Sequence, residues 1–165
     1  TGATSTSSSR LPKRLMMGGL VAVLYVADQV TKHLAATRLV VGEPIPVVPD
    51  LLYWSLHHNP GAAFSMGTQF TVALAVLALV VVVVLVTVVA PRINDWLLAV
   101  AIGWLIAGVA GNLTDRLLRD PGPFQGHVVD FIAVRGFAIF NVADMCITGA
   151  AILLVIWSIR SERGR

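Results

Sequence analysis

The stretch FTVALAVLALVVVVVLVTVVA, from Phe70 to Ala90, runs for 21 residues without a charged side chain. At about 1.5 Å of rise per residue, a helix of this length crosses the ~30 Å hydrocarbon core of a bilayer. A valine-rich run could also form a buried strand in a soluble protein, but this length and hydrophobicity favour a bilayer helix. The stretch therefore predicts a membrane-spanning helix, which Pro91 and Arg92 end.

The composition of the whole chain supports a membrane protein. Of its 165 residues, 56% are hydrophobic and 13% are charged, and the mean hydropathy is +0.81. Soluble domains carry about 25% charged residues. The single cysteine, Cys146, excludes a disulfide within the chain and a cysteine metal cluster. Because the net charge of +3 is small, we expect no nucleic-acid partner.

Three further apolar segments complete a bundle of four spans. We place the spans at about 15–34, 69–90, 96–114 and 136–159, in one domain over 15–160. A disordered tail (1–14) precedes this domain and a short tail (161–165) follows it. The basic residues before the first span could also mark a secretory signal peptide, but no small-residue cleavage pattern follows them.

Two segments outside the spans are expected on the extracytoplasmic side. The segment 35–67 holds four prolines and alternating apolar positions, which predict short strands and turns, and 117–135 is a second loop. Seven Lys and Arg residues lie on the side of the termini and five on the other, so the termini are predicted in the cytoplasm. The predicted fold class is an all-α membrane protein with four transmembrane helices and a small extracytoplasmic β-cradle.

Polar side chains interrupt the spans at one depth. From the helical rise, Asp28, Asp115 and Asp144 lie about 20, 28 and 22 Å from the predicted cytoplasmic edge. Asp130 belongs to the loop that re-enters beside the fourth span. Ionisable groups inside a membrane are costly, so their convergence indicates a functional site.

The spacing of these polar residues places them on common helix faces. The i,i+3 pairs are Asn112 with Asp115 and Asn141 with Asp144. Asp28 and Lys32 are separated by four residues, which predicts an ion pair. The polar side chains can therefore face inward together while the remaining surface faces lipid.

Two carboxylates in a low-dielectric cleft do not both ionise readily, so one keeps a proton while the other can activate water. This is the chemistry of an aspartyl protease, which needs no metal or cofactor. Asp115 has Arg116 beside it and Arg119 one turn later, so we expect it to stay ionised and structural. Asp130 and Asp144 have no such cation nearby in sequence, and we predict them as the catalytic pair.

Five motifs occur in order, namely DQVTK (28–32), NPGAAFS (59–65), GNLTDR (111–116), VVDF (128–131) and FNVAD (140–144). Together, over about 15–159, they resemble the motif set of lipoprotein signal peptidase, also called signal peptidase II. The resemblance implies an aspartyl endopeptidase of the bacterial inner membrane, and we expect a monomer. Such an enzyme removes signal peptides from diacylglyceryl-modified prolipoproteins, cutting just before the lipidated cysteine. Lipid-modified prolipoproteins and membrane lipids are the implied partners.

The resemblance also implies roles for individual residues. The catalytic pair falls on Asp130 and Asp144. The supporting polar residues map onto Asp28, Lys32, Asn59, Asn112, Asp115, Arg116 and Asn141. Pro60 departs from the small or polar residue expected after Asn59 and removes a backbone donor, which bears on substrate contacts rather than on the chemistry.

Other functions stay open at this point. Asp28 with Lys32, and Asp115 with Arg116, could be purely structural ion pairs. A proton-coupled transporter would spread polar residues across the membrane depth, which this sequence does not do. A non-catalytic assembly subunit would tolerate amides in place of the two aspartates. A metalloprotease would be sensitive to chelators.

Overall fold

The computed structural model describes residues 10–61 and 67–164. Four helices in these ranges are long and apolar enough to cross a membrane. They are α1 (Leu11–Arg38), α2 (Gly67–Val84), α3 (Trp96–Leu118) and α4 (Val142–Arg163). A π-helical turn (Leu85–Val89) and a 3₁₀ turn (Ala90–Arg92) extend α2. The predicted four-helix membrane protein is confirmed.

The helix ends follow from local sequence. Proline stands in the first turn of α1, where its missing N–H costs nothing. Asp95 caps α3 by accepting a hydrogen bond from the Leu98 N–H over 2.9 Å. Asn141 caps α4 in a reciprocal arrangement with Asp144.

A four-stranded antiparallel sheet lies at one end of the bundle, in the order β1 (Ile45–Val48), β2 (Leu52–Asn59), β3 (Val128–Val134) and β4 (Ile139–Phe140). The central pairing of β2 with β3 places His57 opposite Asp130. The β-cradle predicted in 35–67 is therefore only half of the sheet, because its other two strands come from the segment before α4.

Several boundaries differ from those expected. The first helix begins at Leu11, so residues 11–14 of the predicted tail are helical, while residues 1–9 lie outside the described residues. The predicted start of the fourth span at 136 is wrong. Gly136 has φ +73° in the β3–β4 turn, and α4 begins only after the cap at Asn141. The apolar residues 137–140 serve the hairpin rather than the helix.

The third helix is the centre of the bundle. Half of its span is buried within the protein, against 11 to 17% for the other three. Its buried face is rich in small residues, and a Cβ on Gly108 would lie 2.6 Å from the Ala143 carbonyl oxygen. Glycine therefore lets α3 and α4 approach closely, as expected of small residues between membrane helices.

Two apolar clusters hold the bundle and the sheet. One joins α1, the end of α2 and α3 through Met17, Leu85 and Ile102. The other packs Ala35 of α1 against Leu56 and Phe131 of the sheet. The second cluster fixes the sheet over the C-terminal end of α1, which brings β3 beside the polar residues of the helices.

Candidate active site

The two predicted catalytic aspartates come from different elements that meet where the sheet joins the bundle. Asp130 lies in β3 and is buried, and Asp144 lies in the first turn of α4 and is half-buried. The two carboxylates lie close together, because Asn141 donates hydrogen bonds to both of them.

Asp130 is held by two side-chain amides. Asn59 Nδ2 donates to its Oδ2 over 3.0 Å, and Asn141 Nδ2 donates to its Oδ1 over 2.7 Å. Burial raises the pKa of Asp130 above its ordinary value, the Asn59 hydrogen bond opposes this, and the negative charge of Asp144 raises the pKa further. Desolvation is the largest of these causes, and the net effect is a raised pKa for Asp130.

Asp144 accepts hydrogen bonds on both carboxylate oxygens. Asn112 Nδ2 donates to Oδ1 over 2.9 Å, and the Asn141 backbone N–H donates to Oδ2 over 3.1 Å. The carboxylate stands at the N-terminus of α4, where the helix dipole favours negative charge. Both oxygens of Asp144 are therefore held by N–H donors at the start of α4.

Asn141 is the residue that joins the two aspartates. Its side chain donates to Asp130, while its backbone N–H donates to Asp144. Its Oδ1 accepts from the Asp144 backbone N–H over 2.9 Å, which closes the capping box. The same residue thus starts α4 and fixes the relative placement of both carboxylates.

A buried ion cluster lies beneath the pair. Lys32 Nζ is 2.9 Å from a carboxylate oxygen of Asp28 and 2.9 Å from one of Asp115, and all three side chains are fully buried. It also donates to Asn112 Oδ1 over 2.9 Å. Because Asn112 Oδ1 accepts from the lysine, its Nδ2 must face Asp144. Lys32 thus sets the orientation of an amide that contacts the site.

The two carboxylates of this cluster also join separate elements. Asp28 Oδ1 accepts from the Ala143 N–H at the start of α4 over 2.8 Å. Asp115 accepts from Arg119 Nε over 2.8 Å and from the Val129 N–H of β3 over 3.1 Å. The network therefore places the residues adjacent to Asp144 and Asp130.

Arg116 does not form the ion pair with Asp115 that was considered from the sequence. Its Nη1 points to the Pro60 carbonyl oxygen at 3.5 Å, at the end of β2. Asn59 Oδ1 accepts from the Gly61 N–H over 2.7 Å, so Pro60 lies within a tight turn. The remaining residues of the NPGAAFS motif, 62–65, lie outside the described residues.

The structure brings eight of the nine predicted site residues into one network of hydrogen bonds and ion pairs, and it places Arg116 at its edge. Gln29, which the sequence reasoning did not single out, belongs to the network because its Nε2 donates to Asp28 Oδ2 and to the Gly111 carbonyl. Its position beside Asp28 in an apolar helix was the available signal. Thr71 also contributes, since its hydroxyl donates to the Pro60 carbonyl over 2.7 Å.

Within residues 10–61 and 67–164, no three His, Cys, Asp or Glu side chains are grouped as metal ligands. The groups that converge are the carboxylates of the predicted pair and three side-chain amides, with the buried Lys32 and its two carboxylate partners beneath them. Carboxylates in unlike environments can divide the roles of acid and base between them.

Comparisons with known proteins identify the family. The family model described as signal peptidase (SPase) II matches residues 20–160. The lipoprotein signal peptidase of Mycobacterium avium (strain 104) is 43% identical over 96% of this chain and 87% of that protein. That of Mycobacterium tuberculosis (strain H37Rv) is 43% identical over 96% of this chain and 78% of its own length.

Solved structures agree with this relationship. A bacterial membrane enzyme determined at 2.3 Å resolution superposes with a TM-score of 0.79 at 29% identity, covering 91% of each chain. Another, at 1.9 Å, gives 0.76 at 31% identity and covers 86% of this chain and 90% of that one. The ordered motifs, the four-helix fold and these matches lead to one conclusion: the chain belongs to the signal peptidase II family.

Proposed function

We propose that this protein is the aspartyl endopeptidase that cleaves signal peptides from diacylglyceryl-modified prolipoproteins, with Asp130 and Asp144 as its catalytic residues. Family membership supports a signal peptidase acting on lipoproteins. The observation that carries the assignment of residues is that Asn141 binds both carboxylates and holds them side by side. Lipid-modified prolipoproteins are the substrates, and they reach the site through the surrounding membrane lipids.

The two aspartates take complementary roles in hydrolysis. Asp144, as the carboxylate, removes a proton from water while the water oxygen attacks the scissile carbonyl carbon. Asp130, as the acid, gives its proton to the carbonyl oxygen, and a tetrahedral diol results. Positioned acids and bases of this kind contribute about 10² to 10⁴ in rate.

Collapse of the diol completes the reaction. The carbon–nitrogen bond breaks, Asp144 gives its proton to the leaving amine, and Asp130 recovers a proton from the diol hydroxyl. The products are the carboxylic acid end of the signal peptide and the free amino group of the lipidated cysteine. The two residues return to their starting protonation states, so no cofactor is needed in this scheme.

The supporting residues position this pair. Asn59 and Asn141 hold Asp130, and Asn112 holds Asp144. The three-charge cluster below them fixes Asn112 and the backbone at Ala143 and Val129. Arg116 and the turn at Pro60 border the approach to Asp130 and are assigned to substrate contact.

The site lies at the depth that a membrane-held substrate requires. A signal peptide and a lipidated cysteine both reside in the bilayer, so the scissile bond lies near the membrane–water boundary. We place this site toward the extracytoplasmic face of the bacterial cytoplasmic membrane, with both termini in the cytoplasm, from the excess of Lys and Arg on the terminal side. We further propose a monomer, because the whole polar network is built from one chain.

The decisive experiment compares wild type, Asp130→Asn and Asp144→Asn in detergent on a diacylglyceryl-modified prolipoprotein. An unlipidated substrate and an EDTA-treated sample run in parallel. We expect the wild type to cut only the lipidated substrate, regardless of EDTA, and each variant to lose at least about 10³-fold in rate. An asparagine is nearly isosteric but can neither accept the water proton nor donate a carboxyl proton.

Two controls make the result interpretable. Asp50→Asn removes a carboxylate whose side chain is 85% exposed in the β1–β2 turn, and its activity should match wild type. Unfolding midpoints of all variants establish that inactive proteins are folded. Retained cleavage by either site variant would refute the assignment of the pair.

For orientation, a cysteine introduced at Ser161 should resist a membrane-impermeant maleimide in intact cells, while one at Asp50 should react. The native Cys146 is buried and gives a low background. Labelling at Ser161 and protection at Asp50 would reverse the proposed orientation.

A further inference from the structure

An apolar groove of about 540 Å³ opens beside Asp144 on the membrane-facing side of α4. Its walls are the β3–β4 hairpin, with Phe137 and Phe140, and the helix face that carries Asp144, Thr148 and Ile152. Ligand sites for small apolar molecules typically fall in the range of ~300 to 1,000 Å³. The groove is therefore large enough for part of a lipid.

The groove starts at the proposed catalytic carboxylate and descends along the helix. Asp144, Thr148 and Ile152 are spaced by four residues and share one helix face. Eight residues of helix cover about 12 Å, so the groove leads from the reaction level toward the bilayer interior. Anything bound there continues from the scissile bond into the hydrocarbon region.

Two observations define the chemistry of the occupant. Apart from Asp144, the lining residues carry no charge. The Thr148 hydroxyl is exposed and makes no hydrogen bond in the described residues, whereas Thr31, Thr87 and Thr114 each donate to the carbonyl four residues earlier. The groove thus offers an apolar surface with one available hydroxyl donor, which suits a neutral lipid whose ester carbonyls accept hydrogen bonds.

We propose that this groove binds the diacylglyceryl group of the substrate, with Thr148 donating to an ester carbonyl and Ile152 contacting an acyl chain. The inference rests on the proposed function, which supplies a substrate with a neutral lipid attached next to the bond that is cut. Continuity with Asp144 is what assigns the groove to that lipid, because the thioether sulfur lies within a few bonds of the scissile carbonyl.

A second apolar groove, of about 290 Å³, fits this lipid less well. It lies between the outer end of α1 and the sheet, near Trp54 and Phe131, and Arg38 lines it. A guanidinium there suits an anionic phospholipid, and a diacylglyceryl group has no charge to pair with it. None of the aspartates lines this groove.

The test fills the groove at its deep end and compares acyl chain lengths. Ile152→Trp adds bulk at a residue that is 57% exposed, so the fold should tolerate it. Val155→Trp is the matched control, because Val155 is 59% exposed on the same helix and does not line the groove. The substrates are one lipoprotein-derived peptide bearing either two palmitoyl or two butyryl chains on its glyceryl cysteine.

We expect Ile152→Trp to raise KM about tenfold for the dipalmitoyl peptide, with kcat little changed and the dibutyryl peptide cut as by wild type. Thr148→Val should raise KM for both peptides, because both carry ester carbonyls. Equal KM values for Ile152→Trp and Val155→Trp on the dipalmitoyl peptide would overturn the groove assignment while leaving the proposed function intact. A wild type that cuts neither peptide would instead refute the proposed function.

Discussion

The side chain of Asn141 donates a hydrogen bond to Asp130, with Nδ2 2.7 Å from Oδ1 of the aspartate, and the backbone of Asn141 begins the helix that carries Asp144. A helix cap and the contact with the proposed catalytic Asp130 therefore share one residue. The two tasks use different atoms, since Oδ1 serves the cap and Nδ2 serves the contact with Asp130. They can be separated by substitution.

The first prediction concerns this separation. Asn141→Ala should lose both tasks, lowering the stability by roughly 0.5 to 2 kcal/mol through the missing cap and reducing kcat about 100-fold. Asn141→Ser keeps a capping oxygen but has no amide to donate to Asp130. Thermal unfolding in detergent and steady-state cleavage provide the two readouts.

Serine should thus restore most of the unfolding midpoint and little of the activity. If serine restored the unfolding midpoint and the activity together, Asn141 would act only by starting the helix, and its contact with Asp130 would not contribute to catalysis.

The second prediction concerns the buried lysine. Lys32→Met leaves the carboxylates of Asp28 and Asp115 without their shared cation, and breaking a buried ion pair in this way costs about 3–5 kcal/mol. The unfolding midpoint should fall sharply. Lys13→Met is the control, because among the described residues Lys13 makes only a cation–π contact 5.6 Å above Trp96. Such a contact is worth about 1 kcal/mol or less at an exposed site.

A double variant checks the cause. Adding Asp28→Asn to Lys32→Met neutralises one of the stranded carboxylates, so part of the lost stability should return. A double variant less stable than Lys32→Met alone would show that packing of the lysine stem, rather than its charge, dominates.

The sequence was sufficient for the bundle and for the membership of the polar network. Long uncharged segments determine membrane helices almost by themselves, because every backbone group in lipid must be satisfied within the segment. The i,i+3 spacing of Asn112 with Asp115 likewise placed both on the face that meets α1 and α4. These are local patterns, readable without knowledge of distant partners.

The features that could not be predicted depend on pairing between residues that are far apart in the sequence. The segment 128–134 was expected to be loop, yet it is a strand because β2 pairs with it across more than 65 residues of sequence. Its first four residues are all buried, so it lacks the alternation that marks a half-buried strand. The hairpin that follows contains the apolar residues 137–140, which were predicted to begin the fourth helix.

The orientation of the side-chain amides could not be predicted for the same reason. The sequence placed Asn112 near Asp144 but could not show which end of its amide faces the carboxylate. Lys32, 80 residues earlier, decides that by occupying the oxygen.

The third prediction concerns the closeness of α3 to α1. A Cβ on Gly111 would collide with the Asp28 carboxylate and lie 3.2 Å from the Ala143 Cβ. Gly111→Ala should therefore destabilise the protein and reduce activity, because Asp28 positions the Ala143 N–H beside Asp144. Gly18→Ala in α1 is the matched control, since no atom of the described residues lies within 4 Å of its Cβ position.

Alanine at Gly18 should leave the stability unchanged or raise it by up to ~1 kcal/mol through helix propensity. Unfolding midpoints of the two variants in the same detergent measure the contrast. Similar midpoints for both would mean that α3 can shift to accept the methyl group.

The last prediction concerns pH. Asn59 stabilises the ionised form of Asp130, so its hydrogen bond lowers a pKa that burial raises. Asn59→Ala removes this donor and should raise the pKa of Asp130 further. In the proposed mechanism Asp130 is the acid, so activity is lost as pH rises through this pKa. The alkaline limb of kcat/KM should therefore move to higher pH.

Profiles of kcat/KM against pH for wild type, Asn59→Ala and Asp50→Asn measure this shift. The exposed Asp50 lies in a turn away from the pair, so its variant should reproduce the wild-type limb. An acid limb that moved to higher pH in Asn59→Ala, with the alkaline limb unchanged, would assign the proton to Asp144 instead, because Asp130 would then be the group that must lose its proton.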